Sequence, residues 1–336
     1  MSKKSLLITL LLFLAITAAS AYFLYYNAFL QVKSSAPKRI AVLLASDLQL
    51  SSVEGLKAGL KEIGYVDGKD ITIEVNNPKG DRDLTKKMAA DIVALKPDLI
   101  VSISTSASSA VKGADKDAAI PVVFADVGNF SELGIENIQH PGGFMTGVVV
   151  DNVPAAPKRT ELLKTLVPGM KKLGILVNDK HVSYNEILKA HEAGAEKLGI
   201  KIIWYNVSKK EDVSPAMEKL VADKVDAYMT TSEATISGNA DLIAPVLRKA
   251  KIPSIDFNIE RGVSSGYLMV YGVSRFDTGK QSARIADKVL RGAKPGDIPV
   301  EFASALQFEI STALAKEMNI KIPEPLLLQA NKVYQE

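Results

Sequence analysis

The chain has 336 residues, no cysteine and a net charge of +3, which excludes disulfides, thiolate metal sites, a cysteine nucleophile and a lipid-modified cysteine tether. Lys3, Lys4 and Lys33 account for that charge. From Ser34 onward basic and acidic side chains balance, so there is no electrostatic footprint for nucleic acid.

From Ser5 through Val32 no side chain is charged. As a helix rising about 1.5 Å per residue, residues 5–32 are longer than the roughly 30 Å of a bilayer core. Ala19-Ser20-Ala21 has the small-x-small pattern of a signal-peptidase site after a basic start and an apolar run. The stretch beyond it, Tyr22 to Tyr26 and Ala28 to Leu30, stays apolar and aromatic like the outer end of a retained anchor. Residues 1–33 therefore read as a signal peptide or an N-terminal membrane anchor. Either places the remainder of the chain in the periplasm or on the outer face of the cytoplasmic membrane.

Roughly 300 residues remain, more than one core usually holds, and two domains or two lobes are expected. Ile40 to Leu44 is a continuous apolar strand, and Ser51-Ser52-Val53-Glu54 reads as a capping box opening a helix that stops at Gly64. Ile71 to Val75 is the next strand, a helix covers Asp83 to Leu95, and Asp98 to Ser102 follows. A helix begins near Thr105, and then come strands at Pro121 to Phe124 and Gly147 to Val150. Pro154-Ala155-Ala156-Pro157 is linker-like, with the following helix free to join either lobe.

The alternation restarts at Leu173 to Val177, with a second capping box at Ser183-Tyr184-Asn185-Glu186. Ile200 to Tyr205, Ala227 to Met229, Pro253 to Ile255 and Tyr267 to Tyr271 are further strands. Apolar strands flanked by helices mean parallel sheets buried on both faces. The fold class is α/β: two doubly wound parallel-sheet lobes with a ligand cleft where the carboxyl ends of the strands meet. Hinge closure of that cleft is the natural mechanism.

Three segments carry a resemblance to a known family. They are Gly64 to Glu74, Pro141 to Val148, and Tyr271-Gly272-Val273 through Gly292 to Val300. In order and spacing they resemble the substrate-binding proteins of ABC transporters of the tryptophan/tyrosine type, over about Lys38 to Pro323. The resemblance implies a type I periplasmic-binding-protein fold holding an amino acid or similar small solute, and delivery to an ABC permease in the membrane. It also implies that the chain returns: residues 38–153 plus about 275–300 form the first lobe, and 158–272 plus about 303–330 the second. A monomer without cofactor or metal is expected.

Candidate ligand-binding residues lie where strands end. Ser104, Thr105 and Ser106 open a helix, where hydroxyls and free N–H groups suit a carboxylate. The resembling family usually reads Gly-Thr-Pro there, so Thr105 matches and its neighbours depart. Ser46 and Asp47, with Ser51 and Ser52, occupy the loop after the first strand. Asp126 and Asn129, Asn178, Asp256 and Asn258 follow later strands and offer acceptors to an amino group. Ser232-Glu233 stands where the family commonly has a threonine-aspartate pair. Tyr184, at a helix start beside Asn178, is placed to cover a substrate or to pack between helices. Helix capping and ordinary loop composition account for many of these residues equally well.

Enzyme signatures are weak. Gly262-Val263-Ser264-Ser265-Gly266 matches a nucleophile pattern, but the strand expected after it contradicts a strand-to-helix elbow. His140, His181 and His191 lack metal-ligand spacing and read as surface residues. The chain is expected to be a binder, with an anchored sensory module as the alternative to transport and a Ser264 hydrolase as the remote one.

Overall fold

The computed structural model describes residues 36–336 apart from Val182, together with Thr17, Ser20 and Tyr22. The signal peptide or anchor expected over residues 1–33 thus lies almost wholly outside the described residues. Among those described, no helix is long and apolar enough to cross a membrane.

The chain first alternates β1 (Lys38–Leu43), α1 (Leu50–Ile63), β2 (Ile71–Asn76), α2 (Arg82–Leu95), β3 (Leu99–Ile103), α3 (Thr105–Ala114), β4 (Val122–Val127) and β5 (Met145–Val149). It then crosses to α4 (Ala156–Leu166), β6 (Lys172–Val177), α5 (Tyr184–Glu196), β7 (Lys201–Asn206), α6 (Val213–Ala222), β8 (Ala227–Met229), α7 (Ala234–Ser237), α8 (Ala240–Ala250), β9 (Ser254–Asp256) and β10 (Met269–Val273). It returns through α9 (Arg275–Leu290) and β11 (Glu301–Phe302), and crosses again to β12 (Leu306–Ser311), α10 (Thr312–Met318), α11 (Glu324–Gln329) and β13 (Lys332–Tyr334).

Two sheets result, in the orders β11-β5-β4-β3-β1-β2 and β13-β12-β10-β9-β8-β6-β7. Both contain the doubly wound order in which the direction of winding reverses beside the first strand, the place where such sheets take ligands. The expectation of two doubly wound lobes holds, with one departure: β12 runs antiparallel to β10, while β13 runs parallel to β12. The β strands are apolar on both faces because helices cover both. Ile40, Val42, Leu99 and Val101 pack with α1 and α9 on one side of the first sheet. Leu43, Ile100, Val122 and Phe124 pack with α2 and α3 on the other. The second sheet has the same two-sided core.

Local signals explain most boundaries, and two fail. Helix α1 stops at Gly64 as expected, with φ of 109°, a left-handed conformation that glycine adopts at least cost. Its start is not the Ser51–Glu54 box. Ser46 and Gln49 form the reciprocal cap one turn earlier, around a short 3-10 turn, so Ser51 and Ser52 lie inside the helix. Helix α5 begins at Tyr184, but the Ser183 side chain makes no capping hydrogen bond. The Pro154–Pro157 stretch is partly helical, since Pro157 sits in the first turn of α4, where a missing N–H costs nothing. That helix packs on α5, among second-sheet elements.

Helix α9 lies on α1 of the first lobe at near backbone contact. A Cβ on Gly55 would fall 1.8 Å from Phe276 O, one on Gly59 2.6 Å from the Ala283 Cβ, and one on Gly279 1.9 Å from Ser52 O. This seam of small residues lets α9 bring Arg275, at its first turn, to the end of β4.

Candidate functional site

The carboxyl ends of β4, β5 and β9 converge on a recess of about 60 Å³ beside the crossovers, lined by Asp126, Asn258, Glu260 and Arg275 among others. Asp126 reaches it through a backbone irregularity. The β4–β5 register shifts between Phe124 and Val127, and Asp126 itself has φ of 52°, which is unusual for a residue with a side chain. Bulges of this kind re-aim a side chain at a sheet end. The sequence, read as a strand ending at Phe124, therefore concealed that β4 continues through Asp126.

Asp126 Oδ2 accepts from the Ser52 hydroxyl of α1 at 2.5 Å and faces Arg275 Nε at 3.6 Å. Arg275 in turn donates from Nη1 to Glu260 Oε2 at 2.7 Å and from its backbone N to Glu260 Oε1 at 2.7 Å. Glu260 belongs to the loop after β9, so this chain of charges spans from one lobe to the other. Asp126 Oδ1 is buried with no hydrogen-bond partner among the described residues, and the same holds for Asn258 Oδ1. Burial pushes the Asp126 carboxyl up from 3.8 to about 6, against the pull of Arg275 and the Ser52 hydrogen bond, with Glu260 adding to the rise.

Asp256 lies deeper, only 4 % exposed. Its Oδ2 accepts from Asn258 N at 3.3 Å and so shapes the loop that carries Asn258 to the recess. Desolvation also raises its pKa to about 6, opposed by the Phe257 and Asn258 amides and by the Arg159 charge.

The other expected residues lie outside the recess, and many serve the backbone. Ser46 caps its own turn, and Asp47 accepts from Asn77 Nδ2 at 2.7 Å. Ser104, with φ of 112°, caps α3 through Ala107 N, and Thr105 Oγ1 accepts from Gly128 N. Ser106 opens onto a separate groove of about 630 Å³ between α2 and α3, with Arg82, Lys86 and Glu132. Asn129 caps the 3-10 turn at Phe130–Leu133, and Asn178 Oδ1 accepts from Lys180 N. Both carboxylate oxygens of Glu233 accept backbone amides, from Thr235 and Ile236, at the start of α7. Ser232 and Tyr184 are half-buried.

Of the expected set, then, only Asp126 and Asn258 line the recess. Gln49, Asn152, Phe257, Glu260, Val273 and Arg275 also line it, and the sequence reading passed over them. Arg275 carried a signal: it follows Ser274, which caps α9 through Asp277 N, at the start of the helix expected to return to the first lobe.

Two further expectations are settled by geometry. His191 is not a surface residue: it is 1 % exposed, its Nδ1 lies 2.7 Å from Ile187 O, and its ring meets Trp204 edge-on. Ser264 is exposed in turns that lead into β10, and its hydroxyl donates to Arg261 O at 3.0 Å. It is no nucleophile elbow. Among the described residues no cluster of three metal-ligating side chains occurs.

Comparison with known proteins agrees with this architecture. A model of the ABC transporter substrate binding protein family matches residues 39–334. A tyrosine-binding protein of Clostridioides difficile (strain R20291) is 29% identical over 269 residues, covering 80% of this chain and 76% of that protein. The structure of an ABC domain from Streptococcus pneumonia in complex with L-Trp is 28% identical with a TM-score of 0.73, over 89% of this chain and 100% of that one. A ligand-free, open substrate-binding protein with adhesive properties from Clostridium difficile shares the fold at 23% identity and a TM-score of 0.73, over 89% of this chain and 100% of that one. The relatives are solute binders and not enzymes, as the failed serine signature leads one to expect. The chain belongs to the ABC transporter substrate-binding protein family.

Proposed function

We propose that this protein captures an amino acid between its lobes outside the cytoplasm and delivers it to an ABC permease. The observation that carries this reading is the pair of unpartnered buried acceptors, Asp126 Oδ1 and Asn258 Oδ1, which approach one recess from opposite lobes. Buried acceptors are stabilised by donors, and an ammonium group presents three N–H donors and a charge to match Asp126. Arg275 stands beside them to pair a carboxylate, so one recess offers both signs that a zwitterionic head group requires.

Contacts from both lobes make binding and closure one event, because the ligand gains its full set of partners only when the lobes meet. The L-Trp complex and the tyrosine-binding relative support an aromatic amino acid as the substrate. The helix start at Ser104 and Thr105, Ser46 and Asp47, Asn178 and Tyr184, and Ser232 and Glu233 then border the side chain rather than the head group.

A thermal-shift screen of the purified protein against amino acids, sugars and polyols tests the reading. A ligand at a hundredfold excess over Kd stabilises by about 2.7 kcal/mol, and an amino acid is expected to be the class that does so. Stabilisation by sugars or polyols alone contradicts it.

A further inference from the structure

Arg159 is 1 % exposed, yet among the described residues no carboxylate comes within salt-bridge distance of it. A buried guanidinium so placed is costly unless its hydrogen bonds do specific work. The first crossover between the lobes runs from Val150 to Ala155 and the second passes Ser274, between β10 and α9. From α4, Arg159 Nη2 donates to Asn152 O in the first crossover at 2.7 Å. Its Nη1 donates to Tyr271 O, just before the second, at 3.2 Å. Asn152 Oδ1 accepts from Val273 N at 3.3 Å, which ties the two crossovers directly. Gly272 between them leaves no room for a side chain, since a Cβ there would fall 1.8 Å from Phe257 O.

The guanidinium stays charged at neutral pH even though burial disfavours the charge. Desolvation lowers it to about 10, and Asp256, Tyr271 and Asp151 hold it up. The neighbouring His191 is pushed down to about 4, by burial first and by the Arg159 charge second. His191 is therefore uncharged beside the guanidinium at neutral pH. Asp256, whose electrostatic attraction reaches Arg159, also shapes the loop bearing Asn258.

We propose that Arg159 is a positioning residue for lobe closure: its planar fork fastens the first two of the three crossovers to the second lobe, so that these two bend on the first-lobe side, at residues 150–151 and 274–275. This rests on the closure described above as the proposed function. The fork reaches two carbonyls of different strands at fixed separation, which a lysine ammonium on a flexible stem does not reproduce.

The absence of cysteine allows a clean distance measurement. Spin labels at Lys116→Cys and Lys189→Cys, exposed sites on the first and second lobes, report interlobe separation by pulsed dipolar spectroscopy on the full chain without ligand. In Arg159→Met the distance distribution is expected to broaden about twofold, as a hinge freed of its restraint samples more orientations. Arg159→Lys, which keeps the charge and loses the planar fork, is expected to fall between Arg159→Met and the parent. Leu163→Ala, a cavity variant of the same helix, is expected to lower Tm and leave the width unchanged. Parent-like width in both Arg159 variants, or equal broadening in Leu163→Ala, overturns the proposal. If L-tyrosine and L-tryptophan leave the parent distance unmoved while the Arg159 variants still broaden, the closure reading fails and the role of Arg159 in fixing the lobes stands.

Discussion

Asp126 concentrates the chemistry of the recess in one carboxyl. Its pKa, raised from 3.8 to about 6 by burial, means that the folded protein holds this proton more tightly than the unfolded chain. The stabilisation linked to it is present in full below pH about 4 and is lost as pH rises through about 6. Asp256 has the same sign and the same window. His191, held down to about 4, works the other way over the same range, so the Asp126 share is read by difference: the change in melting temperature from pH 7.5 to pH 5 is expected to be less favourable in ligand-free Asp126→Asn than in the parent in calorimetric scans. Amino acid binding runs the other way, because an ammonium requires the ionised carboxylate: Kd is expected to rise by about tenfold per unit below pH 6. Asp126→Asn is expected to weaken binding by about 1.5–3 kcal/mol, the range of a charge-assisted hydrogen bond, and to flatten that pH dependence in titration calorimetry. Much of this was legible in sequence as residue type after a strand. What was not legible was aim: a carboxylate such as Glu233 caps backbone amides, while Asp126, in a left-handed bulge, turns into the recess.

At the scale of elements, the seam between α1 and α9 positions the recess from behind, since α1 supplies Ser52 to Asp126 and α9 supplies Arg275. A methyl group added at Gly55 meets the Phe276 carbonyl, so Gly55→Ala is expected to cost roughly 1–3 kcal/mol as overpacking and to weaken ligand binding along with Tm. Gly64→Ala makes the contrast: nothing lies within 4 Å of its Cβ position, and only the left-handed turn is penalised, by about 1 kcal/mol. Its binding constant is expected to stay at the parent value. Strand and helix order could be read from the alternation of Val- and Ile-rich runs with amphipathic segments, because burial of a parallel sheet on both faces demands that pattern. Helix starts were less legible. Hydroxyl-x-x-acid appears at Ser51–Glu54, yet the cap formed at Ser46 and Gln49, where an amide closes the box as well as an acid does. The long-range contact between Glu260, in a turn after β9, and Arg275, at the first residue of α9, is one that local periodicity does not describe.

For the whole molecule, two lobes joined by repeated crossovers make ligand capture a matter of interlobe geometry, with Glu260, Arg275 and Asp126 bridging the cleft and Arg159 fastening the first two crossovers. The lobes could be anticipated from length and from the restart of the βα alternation at Leu173; the antiparallel β12 could not, since the direction of its pairing depends on how the chain returns. Recognition of an amino acid head group by the recess is measured by titration calorimetry at pH 7.5, comparing L-tyrosine and L-tryptophan with their deaminated acids. At least one of the two amino acids is expected to bind, and loss of its amino group to weaken binding by about a hundredfold or more, the cost of leaving Asp126 buried without a donor. Equal affinity for the deaminated acid, or failure of both amino acids to bind, would contradict recognition of the head group by the recess.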